Sequence, residues 1–462
     1  MTPPAPLVST VADDALGDHD AVSLIAAIRA GSVHPDEVTA AALARARVAH
    51  AQLNAVASWA PEPAAAATGP FAGVPSFIKD NEGVAGLPGR MGSRAVPPAP
   101  AAASSAFVDQ FEQLGFTVLG TSTMPEFGVT ATTEPLLGGP TRNPWNPAHS
   151  TGGSSGGAAA LVASGVTPIA HANDGGGSIR IPASCTGLVG LKPSRGRLVT
   201  RQGMELLPVA ISTQGVLTRT VRDTARYYAE VERLYSTMPP IGDVTGPGAR
   251  RLRIAVVTEG MAGMPVDPDV RDTVERAAGA CAHLGHAVEP IAYPATEEFG
   301  RDFLRYWAFL AFAIERGGAR LFGPGFDRDL LEPLTLGLSR YFRSVAPTLP
   351  ATILRLRRFE REYARIMADY DVLLSPVLAR PAPAIGYLGP DVEFRTQLVR
   401  LMRYVPFTSI QNVSGAPAIS LPLGMSRDGL PIGVQAAARF GDEATLLSLA
   451  YELEEAALLP AG

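Results

Sequence analysis

The sequence predicts an α/β protein: a mixed, twisted β-sheet flanked by helices, with a helical region beside it as a wall for a small molecule. Three observations predict it. Apolar, strand-like runs alternate with helix-forming segments along most of the chain, the pattern of layered α/β units. The chain has 462 residues, more than the ~250–300 that one hydrophobic core usually organises, so a large sheet or a core with an inserted cap is expected. From about 297 to 370 the alternation gives way to long arginine- and aromatic-bearing segments such as FLRYWAFLAFAIERGGARLF, which read as a helical cap or substrate wall, with plain core packing as the alternative for each aromatic. The expected organisation is a single unit over 1–462, with a core near 60–235 and the helical cap near 297–370 within it.

In chain order, Ala21 to Ala49 holds two segments with apolar residues at helical spacing, separated at Gly31. FAGVPSFIKD reads as an apolar strand ending at Lys79. The loop GLPGRMGSR (Gly86 to Arg94) has small residues that could approach a site, a plain surface loop being the alternative. Ala102 to Leu114 reads as a helix and Thr117 to Gly120 as a strand. The alternation continues through a helix at Ala158 to Ala163 and strands at Thr167 to His171 and Leu188 to Leu191. Within Met204 to Asp223, Thr220 is placed to cap a helix running to Tyr235. Beyond a Pro/Gly-rich connector, Leu252 to Gly260 reads as a strand and Asp269 to Leu284 as an amphipathic helix. Strand patterns return at Asp371 to Val377, Pro417 to Gly424 and PIGVQAAA, and a last helix spans about Glu443 to Leu458.

Composition excludes several classes. With 39 basic against 44 acidic side chains and a net charge of -5, neither nucleic acid nor an anionic membrane is suggested as a partner. Cys185 and Cys281 lack CxxC or Cys/His ligand spacing, so neither a disulfide framework nor a structural zinc is expected. No leader-like start and no 18-residue uncharged apolar run occur. A soluble cytoplasmic protein, monomer or homodimer, is the expectation. Of the 39 basic residues only Lys79 and Lys192 are lysines. Arginine stays protonated, whereas a desolvated lysine can be neutral near pH 7 and accept a proton. Lys79, at the end of an apolar segment, is therefore a candidate base, with an ordinary strand-end lysine as the alternative.

The chemistry-bearing stretch runs from 150 to 196. GGSSGG could be a flexible linker, but helix-forming residues follow at once, so it reads as a tight loop opening a helix. DGGGS, Asp174 to Ser178, puts three glycines before a serine, which lets bare amides crowd around one point as in an oxyanion hole. The candidate donors are Gly175, Gly176, Gly177 and Ser178. Asp174 and Arg180 flank this loop with opposite charge and could pair to fix it; an exposed pair of little worth is the alternative.

GGSSGG and DGGGSIRIPASCTGLVGLKPSRGR, with GVPSFIKD upstream and GAPAISLPLG downstream, resemble the amidase signature family over nearly the whole chain. GPTRNPWNP (Gly139 to Pro147) resembles its nylon-oligomer hydrolase and urethanase subgroup. The resemblance implies an amidase signature fold in which Ser178 is the nucleophile, Ser154 relays protons from within a cis peptide, and Lys79 is the ultimate base. The two serines are 24 residues apart, the spacing the family motif requires. No metal or organic cofactor is implied. Many relatives carry threonine at the position of Gly175, so a contact from that hydroxyl is missing here. Ser155 is placed to bond the lysine or the loop. Arg197 could gate or line the pocket, with surface solvation as its alternative. His171 and His149 lie where the motif puts no catalytic group, and His171 is expected to be a packed histidine.

The implied function is a serine hydrolase that cleaves C(O)–N bonds through an acyl-enzyme. Its partner would be a small amide or carbamate, a nylon-type oligomer included, with urethanase and esterase activity as possibilities. Two other classes compete. A glutaminase subunit of a tRNA-dependent amidotransferase shares the signature, and a phosphate-binding module would suit the glycine richness. The second lacks GxxxxGK[ST] and a strand-linked GxGxxG. Apolar stretches at Phe303 to Phe312 and Leu330 to Phe342 predict a preference for bulky uncharged acyl or aryl groups over free glutamine or asparagine.

Overall fold

The computed structural model describes residues 7–200 and 207–456. The start of the Met204 to Asp223 segment and the predicted extension of the last helix to Leu458 lie outside the described residues. Two capped helices open the fold: α1 (Ala21–Arg29), whose cap Asp20 accepts from the Ser23 amide, and α2 (Pro35–Leu53), which starts with a His34/Glu37 capping box. Then come β1 (Val56–Trp59), β2 (Val74–Lys79), α3 (Ala106–Gln113) and β3 (Phe116–Ser122). The next group is α4 (Gly156–Ala163), β4 (Ile169–Asp174), α5 (Arg180–Thr186), β5 (Val189–Lys192) and β6 (Thr213–Thr218). Thr220 caps α6 (Val221–Leu234) as expected, its side chain accepting from the Asp223 amide.

A second α/β stretch follows with β7 (Arg253–Val256), α7 (Pro268–His283) and β8 (Ala287–Pro290). The cap region forms α8 (Glu297–Phe322), α9 (Pro333–Val345) and α10 (Leu349–Ile366). The chain closes with β9 (Val372–Pro376), α11 (Phe394–Tyr404), α12 (Ser409–Ser414), β10 (Ala418–Met425), β11 (Pro431–Ala438) and α13 (Glu443–Glu455). Strands β1, β6 and β8 were not expected from sequence. Each is short, and β6 reads TQGVLT, a mixture with weak alternation.

The expected mixed sheet is present, but the strands divide between two sheets. Eight strands run β4-β6-β5-β10-β11-β9-β7-β8 and three run β1-β3-β2. In the large sheet only β7 with β8 and β7 with β9 pair parallel; the other neighbours are antiparallel. The two edge strands β2 and β4 face each other without a backbone ladder. Pro75 in β2 has no N–H to give one. Side chains make the seam instead: the Ser76 hydroxyl donates to the Ile169 carbonyl at 2.9 Å and the Lys79 amide donates to His171 Nδ1 at 3.1 Å. Lys79 ends β2 and Asp174 ends β4, so both strand ends open on the same point.

Helices α4 and α5 lie behind that point and are buried along nearly their whole length. Glycines permit the approach of α4. A Cβ on Gly157 would sit 2.3 Å from the Thr123 nitrogen and 2.6 Å from the Ala55 oxygen, both backbone atoms that cannot swing away. Helix propensity alone favours Gly157→Ala by up to about 1 kcal/mol. Overpacking against backbone costs about 1–3 kcal/mol or more. Gly157→Ala is therefore expected to lower the urea midpoint, and an unchanged or raised midpoint would show that α4 has room the packing denies.

Candidate active site

Three polar side chains surround the buried Lys79 ammonium position. Nζ lies 2.7 Å from Ser154 Oγ, 2.9 Å from Ser155 Oγ and 2.6 Å from Asn173 Oδ1. Ser155 in turn donates to the Asn173 carbonyl at 3.3 Å. The Gly153–Ser154 peptide is cis. The main chain of Lys79 is held from below: its amide donates to His171 Nδ1, so Nε2 carries the ring proton and faces Gln214 Oε1 at 3.0 Å. Gln214 Nε2 passes the chain on to Glu82 Oε1 at 2.8 Å. Burial lowers the pKa of His171 to about 3; the Gln214 contact opposes this and the nearby Lys79 charge adds to it. The ring is thus a neutral bracket, as expected for a packed histidine.

The glycine loop is tied by the carboxylate that precedes it. Asp174 accepts from the Gly177 amide at 2.7 Å, from the Ile179 amide at 3.2 Å, and from Arg180 Nε and Nη2, each at 2.9 Å. Both ionised side chains have no solvent exposure, which removes the exposed-pair alternative. Burial alone would raise the Asp174 carboxyl, but the Arg180 charge and hydrogen bonds from Arg180 and Asn412 hold it well below the usual carboxylate range. The other Arg180 donors reach the Thr408 carbonyl, Gln411 Oε1, Gln435 Oε1 and Asn412 Oδ1.

Ser178 stands where two cavities meet. One, of about 140 Å³, runs past Gly176 between α8 and α11, against Phe303, Leu338 and Leu401. The other, of about 340 Å³, holds Lys79, Ser154 and Asn173 and passes Gly175 toward Leu321 and Phe322. Gly128, Val129, Ser178 and Trp307 line both. Trp307 is pinned by its indole N–H, which donates to the Val129 carbonyl at 3.1 Å.

The structure brings Lys79, Ser154, Ser155, Ser178 and the amides of Gly175 and Gly176 to one place. It corrects two expectations. The Gly177 amide is taken by Asp174, so it is not free to serve as an oxyanion donor. Arg197 neither gates nor lines the pocket, and it is not solvated either. It is buried against Glu443, with Nη2 to Oε2 at 2.7 Å, and donates to the Pro239 carbonyl at 2.7 Å. It follows β5 and joins that turn to the start of α13. The loop Gly86 to Arg94 reaches the larger cavity through Met91 rather than through its glycines and serines. Asn173 and Trp307 were not singled out by sequence. Asn173 precedes DGGGS at the end of a strand, a position that could have marked it; nothing local distinguishes Trp307 from its aromatic neighbours. Among the described residues no three His, Cys, Asp or Glu side chains cluster as metal ligands, and no helix is long and apolar enough to cross a membrane.

A buried lysine bonded to a serine, with a second serine on a glycine loop at the meeting of two cavities, defines a class of hydrolytic site. The family model described as Amidase matches residues 37–447, and the chain belongs to that family, the amidase signature enzymes. It is 50% identical over 459 residues to a Mycobacterium tuberculosis (strain ATCC 25618 / H37Rv) protein described as "Putative amidase AmiC", covering 97% of each chain. It is 36% identical over 475 residues to a 6-aminohexanoate-cyclic-dimer hydrolase of Pseudomonas sp. (strain NK87), covering 95% of this chain and 94% of that one. The solved structure of a 6-aminohexanoate cyclic dimer hydrolase complexed with substrate superposes with a TM-score of 0.85 at 32% identity, over 96% of this chain and 98% of that one. Family membership makes the chain an amide-hydrolysing enzyme of this class.

The ion pair gives a stability prediction. Asp174→Asn leaves the Arg180 charge buried without its counter-ion, a change that typically costs about 3–5 kcal/mol. Because the folded pKa of Asp174 lies below the unfolded value of about 3.9, its contribution is fully present above that value and is lost as pH falls through the folded pKa. The deficit of Asp174→Asn in urea unfolding should therefore be constant from about pH 5 to 8 and narrow below about pH 4. A deficit that widens in acid would contradict this assignment.

Proposed function

We propose that the protein is a serine hydrolase that cleaves C(O)–N bonds of uncharged amides by acylating Ser178. The observation that carries the reading is the Lys79–Ser154 contact of 2.7 Å, on a cavity that Ser178 also lines. Asn173 Oδ1 can only accept, and Ser155, which donates to the Asn173 carbonyl, accepts from Nζ as well. A neutral amine has two N–H groups and one lone pair. Those two acceptors use the N–H groups, and the lone pair is left for the Ser154 hydroxyl. Ser154 can then accept the proton of Ser178 Oγ while handing its own to Lys79 Nζ. No histidine is needed, as in Ser–Lys variants of the serine triad.

The steps follow. Ser178 Oγ bonds to the carbonyl carbon, and the oxyanion is met by the amides of Gly175, Gly176 and Ser178, where one such donor is typically worth about 2.7–4 kcal/mol. Collapse breaks the C–N bond as the proton returns from Lys79 through Ser154 to the leaving nitrogen. Water then attacks the Ser178 ester by the same relay, the C–Oγ bond breaks, and a carboxylic acid leaves with Ser178 reprotonated. A carbamate cleaved by the same course would lose its amine, leave an alkoxycarbonyl group on Ser178, and release a carbonic acid monoester when water attacks. The similarity to a cyclic-dimer hydrolase supports uncharged amides as substrates. We read residues 1–462 as one amidase unit in which the region 297–370 supplies the substrate wall.

A hydrolysis panel of anilide, aliphatic amide, 6-aminohexanoate oligomer, aryl carbamate and glutamine tests the class; ammonia from glutamine with no anilide cleavage would sink it. Ser178→Ala should abolish turnover in a folded protein. Lys79→Ala should match Ser154→Ala in loss, with the double variant no worse than either, because the residues act as one unit. Lys79→Arg should not rescue, since guanidinium cannot accept the proton. If Lys79→Arg keeps more than about a tenth of kcat/KM, a loss under about 1.4 kcal/mol, the lysine is a positioning charge only.

A further inference from the structure

We propose that the two cavities divide the substrate at the scissile bond: the smaller takes the acyl half, which must be uncharged and about the size of one ring, and the larger takes the leaving amine. The inference rests on acylation of Ser178 as read above. Breaking the C–N bond requires a proton on nitrogen as it leaves, and the Ser154–Lys79 pair that holds this proton lines only the larger cavity. The nitrogen must therefore face that side. With Ser178 Oγ and the oxyanion amides taking two further directions about the tetrahedral carbon, the acyl substituent points to the remaining space, past Gly176 into the smaller cavity.

The linings suit these roles. The smaller cavity, about 140 Å³, is walled by Ile181, Phe303, Trp307, Leu338 and Leu401, and no Asp, Glu, Lys or Arg lines it among the described residues. A dry apolar cavity of about 150 Å³ accommodates one benzene ring, so a benzoyl or short alkanoyl group is the right size. An ammonium on the acyl chain, as in a linear ω-amino acid amide, would be desolvated there with no carboxylate to meet it. The larger cavity, about 340 Å³, is polar at Lys79, Ser154 and Asn173 and apolar along Ile314 and Phe322. It reaches the surface at Leu321, which is 62% exposed, leaving room for an amine longer than the acyl group.

Each side is tested by narrowing it. Leu401→Trp should lower kcat/KM for hexananilide at least tenfold relative to acetanilide, and change N-hexylacetamide relative to N-methylacetamide less than threefold. Ile314→Trp should do the reverse. In the wild type, 6-aminohexananilide should be at least tenfold poorer than hexananilide. A reversed or indistinct pattern in variants that still cleave acetanilide overturns the division alone, since acetanilide turnover shows them folded and competent. Equal turnover of the two hexanoyl anilides overturns the claim about charge. If the wild type cleaves none of these amides, the acylation reading falls and the division with it.

Discussion

The site depends on two opposite charges being buried together beneath a loop of glycines. A lone carboxylate or guanidinium in the interior costs several kcal/mol, and mutual attraction repays this only when the remaining lone pairs and protons are also bonded. Asp174 and Arg180 meet that condition with the Gly177 and Ile179 amides of the loop itself and with partners from distant parts of the chain: Asn412, Gln411, Gln435 and the Thr408 carbonyl. The result is directional. By drawing the Gly177 amide inward, Asp174 leaves Gly175 to face one cavity and Gly176 the other, with Ser178 at the junction. A loop that glycine would otherwise leave loose is held in one conformation by charge rather than by bulky side chains of its own.

The second constraint is the seam between the sheets. Because Pro75 cannot ladder with β4, the edges are joined by side chains, and Lys79 enters from one sheet while the Ser178 loop leaves the other. The His171 bracket explains why a titratable ring can sit there without titrating. Its Nδ1 must stay unprotonated to receive the Lys79 amide, and burial keeps it so down to about pH 3. A protonated ring would lose that bond and put a buried positive charge beside Lys79.

Much of this was legible in the sequence because it is local. GGSSGG, DGGGS and the strand ending at Lys79 each carry their geometry within a few residues, and the scarcity of lysine pointed to Lys79 before any packing was known. Both lysines are in fact fully buried. Burial, with the Arg180 charge adding to it, brings Lys192 down to about 7, while its ammonium donates to the Pro193 carbonyl. What could not be read is long-range. Nothing near Arg197 signals that Glu443 awaits it 246 residues later. Nor does anything near DGGGS reveal that α12, its cap Thr408 and Gln435 of β11 supply the distant partners of Arg180 and that one of the four loop amides is already spent. The split into two sheets was hidden because strand patterns specify faces, not which edges join.

The cap is better understood as a fixed wall than as a lid, and polar contacts rather than apolar ones make it so. In α8, Tyr306 faces the core and both donates to the Val209 carbonyl at 2.7 Å and accepts from its amide at 3.1 Å. The next residue, Trp307, is tied to Val129 on the site side. At the start of α9, the buried Glu126 accepts from the Glu332 amide at 2.9 Å and from the Thr335 hydroxyl at 2.6 Å. The Ser93 hydroxyl donates to its other oxygen at 2.7 Å. These bonds set the distance of the wall from Ser178, and each needs a specific partner. The aliphatic and aromatic side chains between them contribute only shape and apolar area, which scales at roughly 25 cal/mol per Å² whichever residue provides it. A wall anchored in this way can change its lining without disturbing the Ser178 loop, the Lys79–Ser154 contact or the sheet edges between them.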